Sequence, residues 1–202
     1  MISVKNTKLR DTHADILEKS IPLFAVHGYS GVSMRNISTA VGISAAALYH
    51  HFPDKQTLYL DAMQYAFADK STGIKEVVST EGTPPERLER FIYRFTEMVA
   101  SDPEFMRLMH REMLDGDEAR LKLLAEHVFL DTYQTITELI TELDVDWDPP
   151  ILVNFIAGLV LYHYESASMR RFLPGVKPEH DDPVVVARHV NRLLQQALGI
   201  SG

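Results

Sequence analysis

Residues 33–58, SMRNISTAVGISAAALYHHFPDKQTL, contain the pattern that decides the fold of this chain. Ser33 and Ser44 each precede a short run of residues with helical spacing, as the N-cap residues of helices do. Gly42 lies between the two runs and supplies the positive φ angle of a tight turn. The stretch therefore predicts two short helices joined by a turn, which is the layout of a helix-turn-helix.

Helix start signals recur along the rest of the chain. Thr83-Pro84-Pro85-Glu86 is a capping box, and Asp102-Pro103, Asp148-Pro149 and Asp182-Pro183 each place an acid before a proline at the first helical position. Alternating patterns that predict strands are almost absent. We therefore expect an all-α chain of about nine helices. Their approximate ranges are 7–27, 34–41, 45–51, a long helix from 55, 86–101, 103–114, 117–142, 149–171 and 183–197.

The composition excludes several classes of protein. The 202 residues contain no cysteine, which excludes a disulfide framework, a thiolate metal site and a cysteine nucleophile. The first eight residues lack the apolar region of a secretion signal, so we expect a cytoplasmic location. The longest apolar stretch, 151–162, is shorter than the ~20 residues of a membrane-spanning helix, so no membrane partner is expected.

Charge is distributed unevenly along the chain. The formal net charge of −8 argues against nucleic acid as a partner, because phosphate binding favours a basic surface. Residues 1–55, however, carry a net charge of +2, whereas residues 56–202 carry −10. This split indicates two parts of the chain with different roles.

Residues 9–65 resemble the DNA-binding domain of the tetracycline-repressor (TetR) family. The resemblance rests on FAVHGYSGVSMRNI at 24–37 and on LYHHFPDKQTL at 48–58, where the glycine turn, the Leu-Tyr-x-His-Phe motif and the following lysine occur together. The family implies a homodimeric, all-helical repressor that releases a palindromic DNA operator when a small molecule enters its C-terminal domain. We therefore expect a DNA-binding domain over 1–54 and an effector-binding and dimerisation domain over 55–202.

The resemblance assigns contacts with DNA to individual residues. Phosphate or groove contacts are expected from Ser33, Arg35, Tyr49, His50 and Lys55, and base readout from the turn Ser44, Ala45, Ala46 and Ala47. Alanines can touch a thymine methyl group but cannot form the bidentate pairs that identify guanine or adenine. Base discrimination is then left either to Arg35, Tyr49 and His50 or to the shape of the DNA. Two simpler interpretations stay open, namely that Tyr49 is a half-buried packing residue and that Lys55 only solvates a helix start.

The C-terminal half predicts a dimer interface and an effector pocket. The helix over 149–171 is apolar on nearly every side and the helix over 183–197 has one apolar stripe, so together they can form a four-helix interface in a homodimer. Methionines and aromatic residues are typical of adaptable cavities, although they fill ordinary cores equally well. A hydrophobic or aromatic effector is therefore expected to contact Met106, Met109, His110, Met113, Phe129, Tyr133, Phe155, Leu159 and His163.

Two other classes of function were weighed against a regulator. The Gly-x-Ser-x-Gly, His-Glu-x-x-His, Gly-x-Gly-x-x-Gly and P-loop motifs are absent, so we expect no catalytic residue, cofactor or metal. A metal-dependent helical enzyme would have to use scattered ligands such as His110, Glu112, His127 and His163. A non-specific architectural DNA-binding protein is disfavoured because the acidic residues 56–202 would repel additional duplex.

Overall fold

The computed structural model describes the backbone of residues 3–200 and the side chains of residues 12–68 and 70–200. This part of the chain is helical and contains no strand, so the all-α prediction is confirmed. The helices are α1 (Ser3–Gly31), α2 (Met34–Val41), α3 (Ala45–His51), α4 (Lys55–Ser79), α5 (Pro84–Ser101), α6 (Pro103–Asp115), α7 (Glu118–Leu124), α8 (Leu130–Glu142), α9 (Pro149–Glu165), α10 (Ala167–Arg170) and α11 (Pro183–Leu198). A π-helical turn covers Ala125–Phe129 and a 3₁₀ turn covers Pro178–Asp181.

The structure has eleven α-helices in the described residues where about nine were expected, because two predicted helices are each divided. The predicted helix over 117–142 is interrupted by the π turn, and Leu124 and Leu130 on either side of it keep right-handed helical angles. The predicted helix over 149–171 is divided at Ser166, whose ψ of −6° departs from α-helical geometry. Neither interruption involves glycine or proline, so the residue pattern gave no signal for it.

Hydrogen bonds confirm the predicted helix starts at Thr83, Asp148 and Asp182. Thr83 and Glu86 form a reciprocal capping box at the start of α5. The carboxylate of Asp148 accepts the Ile151 N–H at 3.0 Å, and the carboxylate of Asp182 accepts the Val184 N–H at 2.8 Å. These contacts satisfy backbone donors that have no partner within the helix.

The chain divides into two compact units, the first of which comprises residues 1–69 and 104–130. Its core consists of fully buried side chains from several helices, including Phe24, Ile37, Leu48, Phe52 and Tyr59, and it also includes Phe105, Leu108 and Leu124. The predicted DNA-binding helices therefore share one core with α6 and α7.

The second unit comprises residues 70–103 and 131–202. Helix α5 packs against both α9 and α11, and these two helices also contact each other. Phe91, Ile92, Ile156 and Val160 are buried among the apolar residues of this unit. In the described residues of both units, no helix combines the length and apolar character needed to cross a membrane.

Candidate nucleic-acid interface

Helices α2 and α3 form a helix-turn-helix with a well-defined turn. Ser33 caps α2 by accepting the Asn36 N–H at 3.2 Å, while the Asn36 side chain accepts the Ser33 N–H at 2.9 Å. Gly42 ends α2 with φ 83° and ψ 29°, the left-handed geometry that the sequence predicts. The N–H groups of Gly42 and Ile43 both donate to the Ser38 carbonyl at 3.0 Å. The turn between the two helices is therefore held by backbone hydrogen bonds.

Helix α3 buries one face and exposes the other. Ser44 caps it by accepting the Ala47 N–H at 3.1 Å. Leu48 is fully buried, as is Phe52 directly after the helix, whereas Ala45, Ala46 and His50 are exposed and Ala47 is half-buried. Tyr49 is 53% exposed, so its ring is available for contacts outside the chain. The exposed face begins with alanine side chains, which form no hydrogen bonds, and ends with the phenol of Tyr49 and the imidazole of His50.

The two predicted contact residues at the start of α2 differ in how available their side chains are for DNA. The Ser33 hydroxyl also donates to the Asn36 side-chain oxygen, so a phosphate contact through this hydroxyl has to replace that bond of the capping box. Arg35 is exposed, and its carbonyl accepts the hydroxyls of Ser38 at 3.0 Å and Thr39 at 2.9 Å. Arg35 is therefore the accessible guanidinium group beside the helix-turn-helix.

Lys55, predicted to contact DNA, is half-buried and has partners in the protein. Its Nζ donates to the carbonyl of Tyr29 at 2.9 Å and to the carbonyl of Val32 at 3.0 Å. The same nitrogen lies 4.1 Å from the centre of the Tyr29 ring, a cation–π contact. Burial, and to a smaller extent the charge of Arg120, lowers the pKa of Lys55 from its ordinary value. Two of the three ammonium N–H groups are thus used before any phosphate is bound.

A cluster of aromatic and imidazole rings lies at the end of α3. The His13 ring is 4.5 Å from the Phe52 ring and 6.3 Å from the His51 ring, measured between ring centres. Burial lowers the pKa of His51, and the nearby His13 and His50 lower it further. The adjacent histidines His50 and His51 therefore differ in role, since one is exposed and the other packs against α1.

A buried hydrogen-bonded network connects α4 to α6 and α7 within the first unit. The Tyr59 hydroxyl donates to Glu112 Oε2 at 2.7 Å, and Arg120 Nε donates to Glu112 Oε1 at 2.5 Å. Glu112 is 1% exposed and Arg120 is 7% exposed. Burial and the hydrogen bond to Glu112 raise the pKa of Tyr59, so the hydroxyl keeps its proton and donates. Sequence reasoning missed this network because nothing in the local spacing relates Tyr59 to residues more than fifty positions away.

The predicted effector residues fall into both compact units. In the first unit, Met106 and Met109 are half-buried on α6 and Phe129 packs edge-on against Phe67, whereas His110 is exposed and Met113 is 67% exposed. In the second unit, Tyr133, Phe155 and Leu159 are exposed and His163 is half-buried. The structure brings Phe155, Leu159 and His163 together along one groove.

That groove, of about 770 Å³, lies along α9 and α11. Its apolar side chains include Phe155, which is 54% exposed, and Tyr162, which is 67% exposed. Gly158 also lines the groove, and a methyl group added there would meet no atom within 4 Å. A large apolar surface on two adjacent helices is therefore open along this side of the second unit.

Arg170 and His163, which line the groove, are both hydrogen-bonded within the protein. Arg170 donates to the carbonyl of His163 at 3.0 Å and to Asp181 Oδ1 at 2.6 Å, and its Nε is buried without a hydrogen-bond partner. His163 Nε2 lies 2.8 Å from the carbonyl oxygen of His180. Burial is the main reason why the pKa of His163 is lowered. Arg170 and Asp181 were not among the predicted site residues, because their pairing depends on the fold of the segment between α9 and α11.

The capped helix-turn-helix and its exposed recognition face define the DNA-binding domain of a transcriptional regulator. The family model for bacterial regulatory proteins of the TetR family, TetR_N, matches residues 16–62. The chain is 32% identical over 155 residues to the HTH-type transcriptional repressor AcnR of Corynebacterium diphtheriae, over 69% of this chain and 82% of that protein. The chain belongs to the TetR family, and the resemblance inferred from its sequence is confirmed.

Other known proteins are similar to this chain at lower identity. The nucleoid occlusion factor SlmA of Marinomonas sp. is 24% identical over 140 residues, covering 69% of this chain and 71% of SlmA. Among solved structures, the fatty acid degradation regulator FadR from Bacillus halodurans has a TM-score of 0.75 at 16% identity, covering 93% of this chain and 96% of that one. AibR in complex with isovaleryl coenzyme A and operator DNA has a TM-score of 0.68 at 21% identity, covering 90% and 97%. These structures share the fold.

Proposed function

We propose that this TetR-family regulator is a homodimeric repressor that binds a palindromic operator and releases it when a small hydrophobic molecule binds. The observation that carries the proposal is the exposed face of α3, which presents Ala45, Ala46, Tyr49 and His50 next to a turn fixed by Gly42. A helix presented in this way fits the major groove, and its first residues meet the base edges. The name of the relative AcnR supports repression as the direction of regulation.

The DNA contacts divide into positioning contacts and base contacts. We assign phosphate contacts to Ser33, Arg35 and Lys55 and base contacts to the turn Ser44–Ala47 with Tyr49 and His50. Because the alanine methyl groups read thymine methyl groups only, the remaining discrimination falls either to Arg35, Tyr49 and His50 or to the shape of the DNA. For Lys55, the two carbonyls that it binds leave one N–H for a phosphate oxygen.

The dimer is proposed to form through α9 and α11. The open apolar surface along these helices supports this assignment, as does Gly158, which lets a second helix approach closely. A second copy of the chain is the natural partner, because a palindromic operator presents two equivalent half-sites. On this proposal residues 1–54 form the DNA-binding domain, to which Lys55 adds one phosphate contact from the start of α4, and residues 55–202 bind the effector and the second subunit.

The effector is proposed to be hydrophobic or aromatic, the class of molecule that the methionine and aromatic side chains identified in the sequence favour. The AibR complex supports a small-molecule effector, since a protein of the same fold binds both isovaleryl coenzyme A and operator DNA. For the alternative of a metal enzyme, the described residues contain no group of three or more His, Asp or Glu side chains placed to hold a metal ion. Glu112, one of its suggested ligands, instead pairs with Arg120.

A binding titration tests the proposal. The protein is titrated against the DNA upstream of its own gene and against a shuffled fragment of the same length and composition, at ~0.15 M salt. A specific regulator is expected to prefer one fragment ~10³-fold or more, and a footprint should show two half-sites about one helical turn apart. Equal affinity for both fragments would contradict the proposal and would favour a non-specific architectural protein.

A further inference from the structure

The segment that joins α1 to α2 is held from one side by residues outside the helix-turn-helix. Gly28 interrupts α1 with φ 70° and ψ 170°. A Cβ atom at this position would lie 3.1 Å from the Cδ of Arg111, so the side chain of α6 occupies the space that glycine leaves. Arg111 also donates to the carbonyl of Val26, before the interruption. Helix α6 therefore contacts the backbone just where α1 changes direction.

The Tyr29 ring, one residue further on, contacts two cations. The Cζ of Arg120 lies 4.4 Å from the ring centre, and the Nζ of Lys55 lies 4.1 Å from it. Arg120 comes from α7, whereas Lys55 opens α4. Both side chains thus fix the same ring, and Lys55 also binds the carbonyl of Val32, immediately before the Ser33 N-cap of α2.

Arg120 is itself held rigidly by acidic partners. Its Nε donates to Glu112 at 2.5 Å, and its Nη1 lies 3.4 Å from a carboxylate oxygen of Asp117. Glu112 is fixed in turn by the hydroxyl of Tyr59 at 2.7 Å. Arg120 is buried, and these acidic partners hold its guanidinium group while the Cζ atom lies over the Tyr29 ring. The contact with Tyr29 is made in addition to these bonds.

We propose that Arg120 is a positioning residue for DNA binding: it holds the Tyr29 ring, and through Tyr29 and Lys55 it fixes the start of α2. The inference rests on the proposed function, because Ser33 and Arg35 at that start are the proposed phosphate contacts. A residue of α7, beyond the 16–62 match to the family's DNA-binding domain, then sets the geometry with which that domain meets DNA.

The test uses Arg120→Lys in the full-length protein. Lysine keeps the positive charge for Glu112, so the buried carboxylate stays paired, but it lacks the planar group that stacks on tyrosine. The matched control is Arg107→Lys, the same substitution at an exposed arginine of α6. Amide NMR spectra report the environment of Val32, Ser33 and Arg35, and the upstream-DNA titration reports affinity well below the melting temperature of each variant.

We expect the amide signals of Val32–Arg35 to move in Arg120→Lys and the affinity to fall about tenfold, the loss of roughly one charge-assisted contact. Arg107→Lys should change neither. Unchanged amide signals and wild-type affinity in Arg120→Lys, even with a lowered melting temperature, would overturn the proposal. Should Arg120→Lys fail to fold, Tyr29→Leu, which keeps the Glu112–Arg120 pair, is expected to give the same two changes, and their absence there would equally overturn it.

The two readouts separate this inference from the function on which it rests. The NMR comparison needs no DNA, so unchanged amide signals count against Arg120 alone. If wild-type protein binds the upstream and shuffled fragments equally, the proposed function fails, whereas a shift at Ser33 in Arg120→Lys would still demonstrate the positioning contact.

Discussion

The ammonium nitrogen of Lys55 lies 3.0 Å from the carbonyl oxygen of Val32, so the first residue of α4 is bonded to the residue before the α2 N-cap. This bond gives a physical meaning to the lysine that follows the Leu-Tyr-x-His-Phe motif. Its side chain connects the end of the helix-turn-helix to its beginning. A lysine in this position supports the phosphate contacts proposed for α2 and keeps one N–H for a phosphate contact of its own.

Replacement of Lys55 by alanine is expected to weaken binding to all DNA sequences by a similar factor. The change removes a positive charge and leaves the carbonyls of Tyr29 and Val32 without this donor, at a cost of about 1–3 kcal/mol in the free energy of unfolding. Titrations with upstream and shuffled DNA, together with urea denaturation, measure both effects. Lys19→Ala, which breaks an exposed pair with Asp15, is the control and should change stability by only a few tenths of a kcal/mol. A selective loss on one sequence would argue that Lys55 reads bases.

His50→Ala is expected to change which sequences are preferred. The imidazole is exposed near the end of α3, where a ring nitrogen can reach a base edge, and alanine removes that hydrogen-bonding group. Competition among fragments that differ at single base pairs should show relaxed preference at one position of each half-site. A uniform loss over all fragments would instead assign His50 to the phosphate backbone.

Gly28→Ala is expected to destabilise the first unit more than Gly42→Ala. Both residues have positive φ, at 70° and 83°, but Gly28 has ψ 170°, a region that residues with a side chain rarely adopt. The new methyl group at position 28 would also press on Arg111, whereas at position 42 nothing lies within 4 Å. We expect losses of about 2–3 kcal/mol and about 1 kcal/mol in the free energy of unfolding, measured by urea denaturation. Equal losses would show that the contact with Arg111 carries no strain.

Phe155→Glu is expected to convert the proposed dimer into monomers. The ring is 54% exposed on the apolar surface of α9, and a buried, unpaired carboxylate in an interface is strongly unfavourable. Light scattering after size exclusion gives the mass, and the operator titration should show weaker binding because the two half-sites are no longer bound together. Leu114→Glu, at an exposed leucine of α6, provides the matched control and should stay dimeric. A dimeric Phe155→Glu variant would place the interface elsewhere.

Stability is expected to fall as the pH decreases from about 7 to 5.5, in part because of His51. Its pKa is lowered in the folded protein, mainly by burial and then by His13 and His50, so the unfolded chain binds a proton more readily. The stabilisation from neutral His51 is complete above the ordinary pKa of about 6.5 and decreases as the pH falls through the lowered value. Urea denaturation across this range should show a shallower pH dependence for His51→Gln. Parallel curves for variant and wild type would exclude this contribution.

The all-α fold and the helix-turn-helix could be predicted from the sequence because their signals are local. Caps such as Ser33 with Asn36, the turn at Gly42 and the apolar spacing of each helix act over three to seven residues, and each appears in the structure. The partners of Lys55 could not be predicted in this way. Its contacts with Tyr29 and Val32 join positions more than twenty residues apart, and no periodicity encodes them.

Adjacent residues of the same type can also differ in burial in a way that the sequence does not predict. His50 and His51 are adjacent and identical, yet the end of α3 exposes one and packs the other against His13. The π turn at Ala125–Phe129 was likewise invisible, because its flanking residues have ordinary helical angles and its sequence has no helix breaker. Long-range packing decides these features, and a single sequence records it only indirectly.

The contact of Arg120 with Tyr29 determines which residues have to be transferred together when a chimeric regulator is made. A chimera that joined residues 1–54 to the sensor of another protein would leave behind Lys55, Tyr59, Glu112 and Arg120, which support the turn before α2. The portable part of the molecule is therefore discontinuous in sequence. A transplant of DNA specificity should carry residues 104–130 together with the N-terminal helices, or else graft only the exposed residues of α3 onto an intact relative.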